Sequence, residues 1–286
     1  MPQLLATCWT SAGNVRPGLT ADESPIPIDV RVRAVAAAGY SGIGLELADL
    51  EVVRQSIGFT ALRDMIGAAG LTTIEVEFLN DWCSTGDRRV ASDARRALLL
   101  EAAGELGAHH IKAGSGQPAD SRDLRRVRGE FEALADEAEA HGTRIALEPA
   151  AHSGLDVITA AIPMVVGLAH PAGGILLDPW HLYRAGVAYE MLDGTLPAEF
   201  LFAVELSDAP AEPVGTLFDD TFDNRLVPGN GAFDVPAFVR VVATIGFDGP
   251  WGIEMMSRRS RSLPVEVALA EAAAGARAAL AAAGVS

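Results

Sequence analysis

Six apolar runs in the sequence end in a carboxylate: Gly44-Leu45-Glu46, Glu75-Val76-Glu77, Ile145-Ala146-Leu147-Glu148, Ile175-Leu176-Leu177-Asp178, Phe202-Ala203-Val204-Glu205 and Gly252-Ile253-Glu254. Removing an ionised carboxylate from water is costly, so repeated acids at the ends of buried segments suggest a purpose. Two such groups facing one substrate can remove a proton and return it. Several of them together can hold a hard divalent cation through oxygen. Without a cation, carboxylates a few ångströms apart cannot all stay ionised.

The acidic runs belong to a longer alternation. Short β-like segments fall at Leu4–Thr7, Gly42–Leu47, Thr72–Phe78, His109–Ala113, Arg144–Glu148, Gly174–Asp178, Leu201–Leu206 and Trp251–Met255. Between them, apolar residues recur at helical spacing, as in Leu62, Met65, Ile66 and Ala69. Gly39, Gly70, Gly107 and Gly142 stand where a helix must end before the next strand begins. Eight strand–helix units in 286 residues predict a (β/α)8 TIM barrel, one domain over residues 1–286. The rival is an open doubly wound sheet. The unit count favours the barrel, as does the lack of a Gly-rich dinucleotide-binding turn after the first strand. The connection 208–233 is the outlier: long, bearing Pro and Gly, and acidic at Asp219, Asp220 and Asp223. A connection of that length is expected to serve a site.

In a barrel the C-terminal strand ends share one mouth, and side chains alternate between the interior and the helix layer. Turning Glu46, Glu148, Glu205 and Glu254 inward also turns Gly44, Ala146, Ala203 and Gly252 inward. Leu45, Leu147, Val204 and Ile253 then face the helices. The opposite parity would bury carboxylates under helices. Glu148, Asp178, Glu205 and Glu254 are therefore expected to converge on one divalent metal ion. All-oxygen ligation points to Mn²⁺ or Mg²⁺, with Co²⁺ or Zn²⁺ as other occupants. Lys112 and His110 point inward by the same parity. Glu75 or Glu77 on the neighbouring strand is the expected partner of Lys112; an anionic group of a substrate is the functional alternative. Trp9, Trp82 and Trp180, just past strand ends, offer either an apolar wall for a sugar or rim packing. His152 reads as an ordinary loop residue.

The charge balance of 22 basic to 38 acidic residues gives a net −16, which opposes phosphate backbones and anionic membranes. A small molecule is the expected partner, with no nucleic acid and no membrane. Cys8 and Cys83 are the only cysteines, and Met1-Pro2-Gln3-Leu4 opens no basic-then-apolar leader. Both features predict a cytoplasmic protein. The Ala-rich C-terminal stretch is interrupted by Glu266, Glu271 and Arg277 and predicts an amphipathic helix.

An ordered set of segments resembles the xylose-isomerase-like TIM barrels, the sugar phosphate isomerase/epimerase superfamily. The segments are Ala38-Gly39-Tyr40-Ser41-Gly42-Ile43-Gly44-Leu45-Glu46, Leu106-Gly107-Ala108, Ala146-Leu147-Glu148-Pro149, Leu177-Asp178-Pro179-Trp180-His181, Val204-Glu205-Leu206-Ser207-Asp208, Arg225-Leu226-Val227-Pro228-Gly229-Asn230-Gly231 and Gly246-Phe247-Asp248-Gly249-Pro250-Trp251-Gly252-Ile253-Glu254. They cover most of the chain. The resemblance implies Glu148, Asp178 and Glu254 as metal ligands. The strand-seven ligand in such proteins is commonly His, sometimes Gln, in a His-x-x-Asp-like run. Here it is replaced by Glu205, with Asp208 following. His181 is implied as a substrate contact, its bland alternative being a solvated His at a helix start. Arg225 is implied as the arginine that reaches the substrate, its alternative being a surface pair with Asp219, Asp220 or Asp223. A homo-oligomer is a further expectation of the resemblance.

The implied activity is that of a metal-dependent isomerase or epimerase of a small keto sugar or polyol-derived ketone. Glu148 and Glu254 would act from opposite faces through a cis-enediolate, while His181, Arg225, Lys112 and Trp9 hold the substrate. A 3-dehydroshikimate or inosose dehydratase is the alternative, since it opens with the same proton abstraction. A non-catalytic sugar-binding barrel is the other. An endonuclease-IV-like role would need a His-rich zinc cluster, and the six histidines are scattered.

Overall fold

A computed structural model describes residues 2–18 and 23–285. Eight parallel strands close into a barrel in sequence order, with helices between them. They are β1 (Leu4–Ala6), β2 (Gly42–Glu46), β3 (Thr73–Leu79), β4 (His110–Gly114), β5 (Ile145–Glu148), β6 (Gly173–Leu177), β7 (Leu201–Leu206) and β8 (Trp251–Ile253). The predicted single (β/α)8 barrel is the observed architecture. The predicted helix-ending glycines Gly39, Gly70, Gly107 and Gly142 all take positive φ, between 67° and 80°.

The boundaries shift most at the mouth, for a physical reason. β6 was expected to reach Asp178 but stops at Leu177. Asp178 leaves the ladder and caps the helix Pro179–Arg184, its Oδ1 accepting the Trp180 N–H at 2.7 Å. Glu46, the last residue of β2 and still paired with Glu77, also caps the helix that follows, accepting from the Ala48 N–H at the start of Leu47–Gln55. The carboxylates at both strand ends thus serve a helix N-terminus. β6 and β7 slip in register between Ile175 and Leu176. There Phe202 joins Ala146, Leu176 and Ala203 in a small apolar cluster of its own.

The long connection after β7 is built rather than loose. Asp208 and Leu226 pair as an isolated antiparallel bridge. Between them lies the helix Leu217–Asp223, opened by a capping box of Thr216 and Asp219. Asp208 folds the far end: Oδ1 accepts the N–H groups of Ala209 (2.8 Å) and Phe233 (3.0 Å), and Oδ2 those of Gly229 (3.0 Å) and Gly231 (2.9 Å). Asp208→Ala strands these donors around a buried gap and is expected to cost roughly 3 kcal/mol or more. Thermal unfolding checks this, as a fall of roughly 6 °C or more. A fall under 2 °C would show that the loop holds itself without Asp208. Among the described residues no helix is long and apolar enough to cross a membrane, and Cys8 and Cys83 are buried free thiols.

Candidate active site

Ligand atoms of Glu148, Asp178, Glu205 and Glu254 lie within 4.8 Å of one another at the C-terminal mouth, all buried. β5, β7 and the residues just after β6 and β8 deliver them. Small inward neighbours make the room. A Cβ on Gly252 would sit 2.5 Å from the Val204 carbonyl oxygen and 3.2 Å from Glu205 Cγ.

Two buried cations occupy the same space. The Lys112 ammonium, on β4, donates to both oxygens of Glu205 (2.9 and 2.8 Å) and to Glu254 Oε1 (2.6 Å). Glu148 Oε1 lies 3.5 Å away and Glu77 Oε2 3.7 Å. Of the two expected partners of Lys112, Glu77 pairs with it at 3.7 Å, but the shorter contacts cross the barrel to Glu205 and Glu254, and Glu75 instead faces His110 at 3.2 Å. Arg225 is fully buried and also differs from expectation. It is neither a surface pair nor a wall of the substrate cavity. Its Nη1 donates to Asp178 Oδ2 (2.5 Å) and Ser207 Oγ (3.1 Å), and its Nη2 lies 2.9 Å from Glu254 Oε2. The acidic residues considered as its partners go elsewhere: Asp219 and Asp223 to Arg16, Asp220 to Arg184.

The electrostatics follow from crowding. Burial alone would depress the Lys112 ammonium, but Glu148, Glu205, Glu254 and Glu77 hold its proton well above the usual lysine range. Burial would raise the Glu148 carboxyl, yet Lys112, His181 and Arg225 hold it well below the usual carboxylate range. Glu205 and Glu254 are pushed upward, chiefly by burial, against the pull of Lys112. With all four carboxylates ionised against Lys112 and Arg225, two negative charges are left over, which one divalent cation would balance. Glu148 Oε1 and Glu254 Oε2 are buried and accept no hydrogen bond among the described residues. The residues present fit a divalent metal. Deeper in the barrel, burial pushes Glu75 up to about 8 and His110 down to about 3.

Above the carboxylates opens a cavity of about 820 Å³ bordered by Glu148, Glu254, Lys112 and His181, with Trp9, Phe78, Phe218, Phe222 and Met256 as apolar walls. Of the three tryptophans considered for the wall, only Trp9 borders it. Trp82 is 1% and Trp180 0% exposed; their indoles donate to the Gly114 carbonyl and to Asp220. His181 Nδ1 accepts the Ala151 N–H at 3.2 Å, so Nε2 carries a hydrogen in either charge state. That hydrogen faces Glu148 Oε1 at 3.5 Å. His181 is thereby a donor to the cavity, although its position would also suit a ligand. His152, read as an ordinary loop residue, borders the cavity too, its ring 5.3 Å from Phe218 and 6.0 Å from His181. Phe218 was not foreseen; an exposed aromatic inside an acidic loop has no periodicity to reveal it.

Among curated relatives, a 3-dehydroshikimate dehydratase of Pseudomonas putida is 25% identical over 82% of this chain. The chain spans only 37% of that relative's length. An inosose isomerase of Bacillus subtilis is 30% identical over 48% of each chain. Among solved structures, the IOLI protein with a bound zinc atom superposes with a TM-score of 0.79 at 19% identity, over 99% of this chain and 98% of its own; that likeness concerns the fold. Residues 32–282 match the family model of the xylose isomerase-like TIM barrel, and with the closed barrel and its acidic mouth this places the chain in that family.

Proposed function

We propose that the chain is a divalent-metal-dependent isomerase or epimerase of a small keto sugar or polyol-derived ketone, working by proton transfer beside the carbonyl. The observation that carries this reading is the pair Glu148 and Glu254. Both border the cavity, and Glu148 keeps one buried oxygen, Oε1, that accepts no hydrogen bond among the described residues. Glu148, Asp178 and Glu254, with Glu205 as the fourth member of the cluster, are the residues that would hold the ion. Polarisation of a carbonyl and acidification of the neighbouring C–H is the chemistry such an ion supplies.

The chain's own residues do the rest. Glu148 removes the proton and Glu254 returns it from the opposite side, since β5 and β8 stand well apart around the barrel. The His181 Nε2–H donates to a substrate oxygen and stabilises charge that develops there. Arg225 fixes Asp178 and Glu254 in place. Trp9, Phe218, Phe222 and Met256 cover the apolar face of the sugar and exclude water. The cavity volume suits a single small ligand.

A dehydratase is the second reading, favoured by the relatives of that name that match 82% of this chain. It shares the first step and then expels a β-hydroxyl. Proton NMR in D₂O with Mg²⁺ separates the two, using ketohexoses, ketopentoses, hydroxypyruvate, inosose and 3-dehydroshikimate. Deuterium entering beside a carbonyl supports the isomerase or epimerase, an unsaturated product the dehydratase. No exchange across the panel would count against both. Saturating Mn²⁺, at 100 times its dissociation constant, is expected to stabilise the fold by about 2.7 kcal/mol. Differential scanning calorimetry reads this as a rise in melting temperature that EDTA reverses, and an unmoved transition would defeat the metal-dependent reading.

A further inference from the structure

We propose that Lys112 withdraws Glu205 from metal coordination, leaving Glu148, Asp178 and Glu254 as the side chains that hold the ion. The inference rests on the metal-dependent reading above and deepens it. An ammonium has three hydrogens, and all three are committed: two to the oxygens of Glu205 and one to Glu254 Oε1. A divalent ion on either Glu205 oxygen would stand next to that ammonium, like charge against like charge in a buried setting. The ammonium is also held where it is. Lys112 is 2% exposed, its Nζ lies 5.6 Å from the Phe78 ring centre, and Glu77 Oε2 stands 3.7 Å away.

Lys112, Glu148 and Glu254 border the cavity, whereas Glu205 and Asp178 do not and are 1% and 2% exposed. An ion arriving from the cavity meets Lys112 before Glu205. The open oxygen lies on Glu148, whose Oε1 accepts no hydrogen bond among the described residues; Glu254 Oε2 likewise accepts none but faces Arg225 Nη2 at 2.9 Å. Each Asp178 oxygen has one donor, Trp180 N–H on Oδ1 and Arg225 on Oδ2, and keeps a second lone pair. His181 cannot replace Glu205, because its Nε2 carries a hydrogen. The pair Lys112–Glu205 then contributes no net charge, and three carboxylates leave coordination positions open for water and for substrate oxygens. That set suits a hard ion such as Mg²⁺ or Mn²⁺.

The test is a crystal structure of the wild-type protein soaked in Mn²⁺, with anomalous scattering to locate the ion, alongside Mn²⁺ binding followed by electron paramagnetic resonance. The expected result is Mn²⁺ on oxygens of Glu148, Asp178 and Glu254, with both Glu205 oxygens still on the Lys112 ammonium. Mn²⁺ bonded to Glu205, with Lys112 swung aside, would overturn the inference while leaving the metal-dependent reading intact. The charge-balanced double variant Lys112→Met/Glu205→Gln removes the pair together and is expected to bind Mn²⁺ within about threefold of wild type. A loss of thirtyfold or more would make Glu205 a ligand and overturn the inference. If wild type takes no Mn²⁺ but Lys112→Met does, Lys112 closes the whole site, and the inference falls together with the metal-dependent reading. Binding by neither would end both.

Discussion

Glu148→Gln is expected to slow exchange of the substrate's α-proton with solvent by roughly 10³-fold, the usual weight of a positioned general base. The substitution keeps the shape of the side chain and removes its basicity. Its structural cost is the loss of ion pairing to Lys112 and His181, each 3.5 Å from Glu148 Oε1, so folding is checked alongside exchange. The loss of one carboxylate also weakens metal binding, so the comparison belongs at saturating Mg²⁺, with occupancy measured separately. Exchange within tenfold of wild type under those conditions would remove Glu148 from the role of base. Glu254→Gln separates the two carboxylates further. If Glu148 removes the proton and Glu254 returns it, this variant still washes deuterium into the substrate but no longer forms the epimer or isomer. Loss of both signals together would assign Glu254 to binding rather than to proton return.

The carboxylates were legible because their placement depends on a backbone property. A period of two along each strand, with one mouth for all strand ends, suffices to bring Glu148, Asp178, Glu205 and Glu254 together. Partners across the barrel were not legible. Neighbouring-strand logic assigned Lys112 to Glu75 or Glu77; Glu77 does pair with it at 3.7 Å, but the shorter contacts span the interior to β7 and the residue after β8. Arg225 follows the same rule. Its burial depends on the bridge between Asp208 and Leu226, which folds an acidic connection back beneath the mouth. No local pattern announces that bridge. Trp82 and Trp180 look like rim aromatics in sequence. Their burial follows from indole N–H groups that find acceptors within the packing, which also denies them to a substrate.

Arg225→Met is expected to be the most destabilising single change at the mouth, although the residue does not border the cavity. The guanidinium is 0% exposed, and Asp178 Oδ2, Glu254 Oε2, Ser207 Oγ and Thr221 Oγ1 all surround it. Methionine fills the volume but leaves buried Asp178 without its cation and Glu254 with Lys112 alone. Breaking a buried pair from one side typically costs 3–5 kcal/mol, which corresponds to roughly a 6–15 °C fall in melting temperature for a domain of this size. The deficit should be partly refunded by Mn²⁺, because a divalent ion on Asp178 and Glu254 supplies the missing positive charge. The stabilisation by Mn²⁺ is therefore expected to be larger in Arg225→Met than in wild type. Arg225→Lys should fall between, since an ammonium restores the charge without the forked contact to both acids. Calorimetry with and without Mn²⁺ decides the matter. A variant within 1 kcal/mol of wild type would mean that the carboxylates at the mouth take up protons on losing the arginine. In that case the resting site would hold shared protons rather than paired charges.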